Sequence, residues 1–470
     1  MNEMKKASVK RTFSLCPVCL KRVEAKLVSA DGSWYLEKTC DEHGSYRTVV
    51  WRGEDPDLLD WGNYTPPVEP EQELPDCPRD CGLCDKHLQS TCCILVEVTD
   101  RCNLCCPVCF AESGADGMRT EKSVADLSAD FRFLIEKGCH FIQLSGGEPT
   151  IRDDLPDIVR AAKEAGATSV QLNSNGLRLG SDPEFAKRLA KAGLDFVFMQ
   201  FDGIDDTVYR VLRGRALMEE KRKAIEICGI NGIGVTLVPT VVPGINDRQI
   251  GELIRFGMEL SPVVRGVHFQ PISYFGRYPE PPGDEQRITL PEIITAIEDQ
   301  TNGLIKISDL APSACDHPRC GFHGDFMILP DRLVSLTPKA QPSDGCCCKP
   351  AANRAVSQTA NRAVSQAVHA PSAEKAARNP EEALKNRNFV ARRWKRNLEL
   401  EGKRNTSVRS DGVMDFDTFL EQVAVHGFTV TGMAFQDAYN LDFERLRRCS
   451  LHVYDNGRIL PFCAKYLTSI

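Results

Sequence analysis

Six short apolar runs alternate with amphipathic segments between residues 91 and 275, and this alternation limits the fold more than any other feature of the chain. The runs are nearly continuous in apolar residues, as strands covered on both faces are. They span residues 92–98, 140–145, 168–173, 195–202, 233–240 and 265–272. The segments between them repeat apolar residues at helical spacing, and several end in glycine, a common stop signal for helices. We therefore predict an α/β fold with parallel strands, either barrel-like or openly doubly wound, whose chemistry gathers at the carboxyl ends of the strands.

The rest of the 470-residue chain divides around this repeat. Residues 1–65 hold strand-like runs between cysteine pairs and predict a metal-binding knuckle. Residues 66–90 begin with a Pro/Glu-rich linker and end in a second cysteine group, and residues 91–275 carry the repeat. Residues 276–470 form an extension with more cysteines, interrupted at 346–380 by a low-complexity insert in which ANRAVSQ occurs twice. We predict that this insert lies on the surface without a catalytic role.

Charge and hydropathy exclude several classes of function. The net charge of −7 gives no electrostatic footprint for nucleic acid. The sequence contains no run of eighteen apolar residues, so we predict no transmembrane segment. The first residues lack the apolar core of a secretory signal. The 21 cysteines fall in tight groups. In a chain of this length without a signal, such groups indicate metal binding or catalysis in a reducing compartment, so we expect a cytoplasmic protein.

The most informative group follows the first predicted strand. Cys102, Cys106 and Cys109 have the spacing C-x3-C-x2-C on one short loop. Three thiolates so placed can ligate three irons of a cubane cluster and leave the fourth iron open to a small molecule. A purely structural metal site instead closes its shell with four protein ligands. The spacing and the strand-end position therefore predict a catalytic cluster.

With the aromatic Phe110 beside them, these cysteines resemble the signature of the radical S-adenosylmethionine (SAM) superfamily. The resemblance implies a partial (β/α)6 barrel that binds a [4Fe–4S] cluster and SAM. It also implies reductive cleavage of SAM to a 5′-deoxyadenosyl radical, which abstracts hydrogen from a substrate. A reductant such as flavodoxin or ferredoxin would supply the electron.

Motifs at the next strand ends fit the same family. The resemblance implies SAM contacts at Gly146, Gly147, Glu148 and Pro149 after the second strand, Asn173 and Asn175 after the third, and Gln200, Asp202 and Arg213 at and after the fourth. The Glu148 carboxylate would hold the ammonium of SAM, and the glycines would let the backbone approach the ligand. Each motif alone is usually a plain turn. Their order on successive strand ends supports the assignment.

Two further groups precede the repeat. Cys16, Cys19, Cys40 and His43 form two half-sites typical of a tetrahedral site, with zinc as the default metal and a rubredoxin-like iron as the alternative. The second group repeats the C-x3-C-x2-C spacing and predicts an auxiliary [4Fe–4S] cluster, with a structural zinc as the alternative. Its members are Cys77, Cys81 and Cys84, with His87, Cys92 or Cys93 as the fourth ligand.

The remaining cysteines divide into ligand candidates and others. We predict that Cys315, Cys320, Cys449 and Cys463 close a further cluster across the insert. The run Cys346, Cys347 and Cys348 is either redox-active or part of a surface loop. Cys139 and Cys228 are expected in the core. Cys105 is left out of the ligand set; the superfamily members that this chain resembles commonly carry Arg or Lys there.

The layout of these motifs resembles one branch of the superfamily. That branch includes archaeal pterin methyltransferases, tetraether lipid synthases and the TrsS radical SAM (seleno)proteins, and the likeness covers most of the chain except the insert. It implies an enzyme that methylates, or forms C–C or C–S bonds, at an unactivated carbon of an unknown small-molecule or lipid substrate. Two alternatives stay open: a maturase that modifies a partner peptide or protein, and a non-enzymatic metal-binding scaffold.

Overall fold

A computed structural model describes most of the chain. It covers residues 9–53, 58, 61, 78, 83–84, 87–115, 117, 121–313, 315–337, 393–401 and 416–467. Cys77, Cys81, Cys346, Cys347, Cys348 and the insert lie outside the described residues. Within the described part, no helix is long and apolar enough to cross a membrane.

Strands and helices alternate through most of the described chain. The strands are β1 Val9–Leu15, β2 Arg22–Ala30, β3 Ser33–Cys40, β4 Gly44–Arg52, β5 Cys93–Thr99, β6 Phe141–Gly146, β7 Ser169–Ser174, β8 Phe196–Gln200, β9 Gly234–Val238, β10 Thr240–Val241, β11 Val264–Pro271, β12 Ala311–Pro312, β13 Gly321–Ile328, β14 Leu333–Ser335, β15 Gly427–Met433, β16 Leu451–Asp455 and β17 Arg458–Pro461. The helices are α1 Val124–Glu136, α2 Leu155–Ala165, α3 Leu177–Ser181, α4 Pro183–Ala192, α5 Asp206–Arg213, α6 Met218–Ile230, α7 Ile250–Glu259, α8 Leu290–Gln300, α9 Leu398–Glu401, α10 Phe416–His426, α11 Phe443–Arg447 and α12 Phe462–Lys465.

The N-terminal strands β1 to β4 form a separate antiparallel sheet in sequential order. Alternate residues of β3 are buried, as expected for a sheet with one covered face. One buried residue is Lys38, whose Nζ donates to Ser14 Oγ at 3.0 Å and to the carbonyl of Ala438 at 2.6 Å. Burial lowers the pKa of Lys38 to about 7. This lysine therefore ties the N-terminal sheet to a loop near the end of the chain.

The predicted α/β repeat is confirmed. Strands β5, β6, β7, β8, β9 and β11 pair in parallel in this order, and each overlaps one of the six predicted apolar runs. Helices cover one face of the sheet. On β6, Ile142 and Leu144 join the large apolar core, whereas Gln143 hydrogen-bonds to Asn173 of β7 on the inner face. The inner face is therefore partly polar, which the near-continuous apolar runs had not indicated.

The C-terminal extension completes the central sheet. Strand β15 pairs in parallel with β11, and β16 pairs in parallel with β5, so the extension flanks the six predicted strands on both sides. The sheet remains open between its outer strands β12 and β17. Periodicity did not reveal this arrangement because β15 and β16 pair with central strands more than 150 residues away in the sequence, for example Thr429 with Gly266 and Leu451 with Cys93.

One aromatic side chain closes the amino end of the sheet's inner face. Trp394 contacts the rings of Phe196 and Phe198, with centroids 5.5 and 4.8 Å away. Its indole Nε1 donates to Thr429 Oγ1 at 3.0 Å. The neighbouring Arg393 forms a 2.5 Å ion pair with Asp325 of β13. The first described residues after position 392 therefore pack against the sheet.

A buried ion pair joins the segment that follows β11 to the loop that precedes α11. Arg287 and Asp437 form two hydrogen bonds of 2.9 and 3.1 Å, and their side chains are 4% and 0% exposed. The Asp437 carboxylate also accepts from the backbone N–H groups of Tyr274 and Tyr439. This carboxylate therefore organises several segments at once.

We predict that Asp437→Ala lowers the free energy of unfolding by about 3–5 kcal/mol, because it leaves the Arg287 charge buried without its partner. Chemical denaturation followed by circular dichroism measures the change. Glu219→Ala is the matched control: it breaks an ion pair with Lys223 whose side chains are 70% and 56% exposed, and should cost no more than about 0.5 kcal/mol. Equal losses in the two variants would contradict the prediction.

Candidate functional site

The loop with Cys102, Cys106 and Cys109 is anchored at both ends through its backbone. Cys102 N donates to the carbonyl of Gly114 at 2.8 Å. Cys109 exchanges two 2.9 Å hydrogen bonds with Arg277. The Arg277 guanidinium also donates to the carbonyl of Cys106 at 3.0 Å. Arg277 lies beyond the predicted barrel and was not predicted from the sequence, because an isolated arginine in a loop carries no motif.

The three thiols are electrostatic neighbours. The pKa of Cys102 is raised to about 12, chiefly by burial and also by the nearby Glu148, Cys106 and Cys109, while a hydrogen bond from Leu104 N lowers it. Ligation to a metal deprotonates such a thiol outright. The donor set therefore fits a metal cluster with thiolate ligands.

The Gly-Gly-Glu-Pro turn after β6 packs against the start of this loop. Gly147 N donates to the carbonyl of Thr99, and Glu148 N donates to that of Arg101, both at 2.9 Å. A Cβ on Gly146 would collide with the Thr99 carbonyl oxygen, and one on Gly147 with the Arg101 carbonyl oxygen. The glycines were expected to make room for a ligand; in the structure they make room for the backbone of the cysteine loop.

Glu148 is a buried acceptor, 1% exposed. Its Oε1 accepts from Thr150 N, Thr150 Oγ1 and Ser174 Oγ, and its Oε2 accepts from Asn175 N at 2.6 Å. Burial raises the pKa of Glu148, and these hydrogen bonds oppose the rise. The carboxylate thus joins the end of β6 to the end of β7. Pro149 begins the short 3₁₀ turn that follows it.

Asn173 of β7 and Asn175, which follows this strand, have different surroundings. Asn173 lies in a cluster of amides, where its Oδ1 accepts from Gln143 and Gln171 at 2.7 and 2.8 Å. Asn175 instead contacts the cysteine loop, because its Nδ2 donates to Asn103 Oδ1 at 2.7 Å. The structure therefore brings Asn175, but not Asn173, into direct contact with that loop.

Gln200, Asp202 and Arg213 form one group beneath the thiols. Arg213 donates twice to Asp202, at 2.7 Å each, and both residues are buried. Burial alone would lower the pKa of Arg213, but Asp202 and the thiol of Cys106 raise it. Asp202 also accepts from Thr240 N at 3.1 Å. Its two oxygens are thus occupied by protein donors.

Lys221 of α6 is a functional candidate that sequence analysis missed. It is 0% exposed, and its Nζ donates to the carbonyl of Asn175 at 2.5 Å. The amide oxygen of Gln200 can face either Lys221 Nζ at 3.3 Å or Arg213 Nε at 2.9 Å. Burial lowers the pKa of Lys221 to about 8, while Asp202 raises it. A lone lysine within a helical pattern gives no signal of such burial.

The N-terminal half-sites meet at one point. One ligand atom from each of Cys16, Cys19, Cys40 and His43 lies within 4.8 Å of all the others. His43 Nδ1 is 3.6 Å from Cys16 Sγ and 3.5 Å from Cys40 Sγ, and Cys19 Sγ is 4.0 Å from Cys40 Sγ. Tetrahedral zinc, with bonds of about 2.3 Å to sulfur and 2.0–2.1 Å to nitrogen, requires edges of roughly 3.5–3.8 Å. The four residues therefore fit a tetrahedral metal ion.

The thiol of Cys40 has the electrostatics of a metal ligand. A hydrogen bond from His43 and another from the backbone N–H of Glu42 lower the pKa of Cys40 to about 6. Burial raises the pKa of Cys16. A thiolate is the form that binds a metal.

Of the second cysteine group, the structure describes Cys84 and the three candidates for a fourth ligand. His87 N donates to the carbonyl of Cys84 at 2.9 Å, and His87 Nε2 donates to the carbonyl of Cys449 at 2.8 Å. Cys93 donates to Gln143 at 3.3 Å on the inner face of the sheet. The backbone N–H of Cys92 donates to the carbonyl of Ser450. His87 therefore connects this segment to the C-terminal cysteines.

The C-terminal cysteines are brought together in part. Cys320, Cys449 and Cys463 line one cavity, and Asp316 lines it with them. Cys315 is not among the lining residues. Cys139 and Cys228 belong to the apolar core, which confirms that prediction. Cys105 is exposed.

We predict that Gly147→Ala removes about one cubane of iron, roughly four atoms per chain, because the added Cβ displaces the Arg101 carbonyl and the cysteine loop with it. Iron analysis after anaerobic reconstitution tests this. Gly114→Ala is the control in the same loop, since a Cβ there meets no atom within 4 Å. The same iron content in both variants would show that the close approach is unimportant.

Comparisons with known proteins agree with this geometry. Residues 96–257 match the model of the radical SAM superfamily, and residues 8–52 match that of an HMPTM N-terminal zinc ribbon domain. The first range spans β5 to α7 and contains the three-cysteine loop. The second contains the four residues of the N-terminal site.

Relatives extend the match to nearly the whole chain. The chain is 33% identical to a 7,8-dihydro-6-hydroxymethylpterin dimethyltransferase of Methanocaldococcus jannaschii, over 97% of this chain and 92% of that protein. A probable GTP 3′,8-cyclase of Pyrococcus abyssi is 31% identical over 37% of this chain and 56% of that protein. A crystal structure of Streptococcus suis SuiB gives a TM-score of 0.39 at 18% identity and covers 46% of each chain. The match along nearly the full length of a methyltransferase, together with the matched superfamily model, shows that the chain belongs to the radical SAM superfamily.

Proposed function

We propose that the chain cleaves SAM at a [4Fe–4S] cluster held by Cys102, Cys106 and Cys109. The observation that carries the proposal is the meeting of this loop with the glycine turn of β6 and the polar ends of β7 and β8. Three thiolates leave one iron without a protein ligand, where SAM can bind. When bound, the cluster and SAM supply a 5′-deoxyadenosyl radical by one-electron cleavage of the sulfonium.

The chain's own residues orient SAM. Glu148 Oε2 accepts one protein hydrogen bond, from Asn175 N, and a carboxylate oxygen has room for a second. We assign that position to the ammonium of SAM, with Gly146, Gly147 and Pro149 shaping the turn around it. Such charge-assisted hydrogen bonds contribute roughly 1.5–3 kcal/mol each.

The polar group beneath the loop would meet the ribose and carboxylate of SAM. Asp202 accepts twice from Arg213 and once from Thr240 N, so we assign it the role of fixing Arg213, which would meet SAM beside it. Gln200 lies between two cations and can present either end of its amide. Asn173 contributes through the amide cluster on the inner face.

For the substrate, we propose a small fused heterocycle, with a reduced pterin as the first candidate. The 5′-deoxyadenosyl radical would take a hydrogen atom from an unactivated carbon, and a second SAM molecule, with one further electron from the reductant, would supply the methyl group that replaces it and leave as S-adenosylhomocysteine. The near full-length relationship to a hydroxymethylpterin dimethyltransferase supports this choice. The inner face of the sheet offers the donors and acceptors that such a ring needs, in the amides of Gln143, Gln171 and Asn173. An apolar substrate would leave these amides facing hydrocarbon.

Further metals complete the proposal. The N-terminal site would hold one zinc ion, which its ligand distances and the zinc ribbon match support. The segment with Cys77, Cys81 and Cys84 and the C-terminal cysteines would each hold an auxiliary [4Fe–4S] cluster. The convergence of three C-terminal thiols on one cavity supports the second of these. So many thiolate sites need a reducing compartment such as the cytoplasm, with flavodoxin or ferredoxin as the electron donor.

We predict that the reconstituted protein, given SAM and a reductant, forms 5′-deoxyadenosine, and that replacing Cys102, Cys106 and Cys109 together by Ala abolishes it. The variant should lose about four irons but keep its fold, because the sheet core is unchanged. Chromatography of the products measures the reaction. Cys105→Ser, which removes an exposed thiol of the same loop, should leave it intact. Undiminished cleavage in the triple variant would refute the cluster assignment.

The substrate proposal has its own test. With a reduced hydroxymethylpterin present, we expect deuterium from the labelled substrate carbon in 5′-deoxyadenosine, and a methylated pterin by mass spectrometry. Formation of 5′-deoxyadenosine without either signal would reject the pterin while leaving the SAM chemistry standing.

We predict that Cys40→Ser removes one zinc per chain and leaves the iron content unchanged, because Cys40 contributes to the N-terminal site alone. Elemental analysis of both metals after purification provides the measurement. Cys139→Ser, a core cysteine, is the control and should retain the zinc. Zinc retained in Cys40→Ser, or iron lost with it, would be inconsistent with a separate zinc site.

A further inference from the structure

The C-terminal cavity is assembled from segments far apart in the chain. Cys320 ends a 3₁₀ turn directly before β13, Cys449 follows α11, and Cys463 lies in α12. Burial raises the pKa of each of these three thiols. Three thiols that lie far apart in the sequence therefore line the same cavity.

Two donors already point at the sulfur atoms. Arg445 Nε lies 3.4 Å from Cys320 Sγ, and the Arg445 guanidinium is held in place by the carbonyl of Ala434 at 2.7 Å. The backbone N–H of Gln436 lies 3.3 Å from Cys463 Sγ. Hydrogen bonds of this kind stabilise thiolates and tune the potential of iron–sulfur clusters. These two donors would stabilise negative charge on the sulfur atoms of Cys320 and Cys463.

The fourth candidate ligand at the cavity is a carboxylate. Asp316 lines the cavity, and its Oδ1 accepts from Ser450 N at 2.7 Å and from Ser450 Oγ at 2.8 Å. The other oxygen, Oδ2, has one weak contact of 3.5 Å with Ser313 Oγ. One oxygen of this carboxylate is held by hydrogen bonds from Ser450, and the residue lines the cavity together with the three thiols. Metal-binding carboxylates are commonly oriented by such hydrogen bonds from neighbouring residues.

The neighbouring cysteine faces elsewhere. Cys315 does not line the cavity, and its charge acts instead on Arg393, which pairs with Asp325 of β13. The two neighbours therefore differ in their surroundings: Asp316 lines the cavity with Cys320, and Cys315 does not.

We infer that the C-terminal cluster is ligated by Cys320, Cys449 and Cys463 and that Asp316, not Cys315, supplies the ligand of its fourth iron. This rests on the auxiliary cluster proposed above. Carboxylate oxygen is a harder ligand than thiolate, so one iron of this cluster differs from the other three. Ligand exchange at that iron is easier than in an all-thiolate cluster.

The test uses the full chain, reconstituted anaerobically, in the background with Cys102, Cys106 and Cys109 replaced by Ala, so that the catalytic cluster does not contribute. Asp316→Asn is the most specific variant, because the amide oxygen can keep the hydrogen bonds from Ser450 and only Oδ2 is replaced, by an amide nitrogen. Cys315→Ser is the matched control next to it. Iron content, Mössbauer spectra and electron paramagnetic resonance of the reduced cluster are measured.

We expect Cys315→Ser to match the background protein in iron and spectra. Asp316→Asn should change the spectrum of one iron site, and Asp316→Cys should keep the iron and give the spectrum of an all-thiolate cluster. Cys320→Ser should lose about four irons. Circular dichroism and retained zinc establish that each variant is folded.

Two results would overturn the inference in different ways. If Cys315→Ser loses iron while Asp316→Asn is unchanged, the ligand assignment fails and the auxiliary cluster stands. If single Ser variants of Cys320, Cys449 and Cys463 all keep the full iron content, the auxiliary cluster itself is absent.

Discussion

The buried carboxylate of Glu148 is the interaction on which the rest of the site depends. It accepts four hydrogen bonds from the residues that end β6 and β7. Asn175, placed by one of these bonds, contacts Asn103 in the cysteine loop, and its carbonyl accepts from Lys221. A charged group with 1% exposure is tolerated only when its acceptors are satisfied. Two strand ends, one helix and the cysteine loop are therefore positioned together.

Charge alternates through the buried part of the site. The carboxylates of Glu148 and Asp202 lie among the cations Lys221 and Arg213, and Cys106 lies beside Arg213. Removing any one of these charges leaves another uncompensated where water cannot reach it. Thiolates of a bound cluster would add negative charge to this group, and the two cations are placed to offset it.

Chemically distinctive residues made much of this predictable. Cysteines at fixed spacing and glycine turns at strand ends were visible in the sequence. Apolar periodicity predicted that the six central strands are parallel, and the family resemblance implied their sequential order. Lys221 and Arg277 were not predicted, because a single cation in a helix or loop resembles any surface residue until the fold buries it, as it does Lys221, or brings it to the cysteine loop, as it does Arg277. The pairing of β15 and β16 depends on contacts between distant segments, which local patterns do not encode. Asp316 was not predicted, because the adjacent Cys315 was the more obvious ligand candidate in the sequence.

Asp325 contacts both the last described residues before position 338 and the first described residue after position 392. Its backbone accepts from Leu336 N and donates to Thr337 Oγ1 on the chain that leaves, while its carboxylate pairs with Arg393 on the chain that returns. One residue thus closes the loop from both sides. The entropic cost of closing a loop grows only with the logarithm of its length, by about 0.6 kcal/mol for each doubling. Evolution can therefore lengthen, shorten or replace the intervening segment with little effect on the sheet, which makes it a natural point for acquiring new sequence.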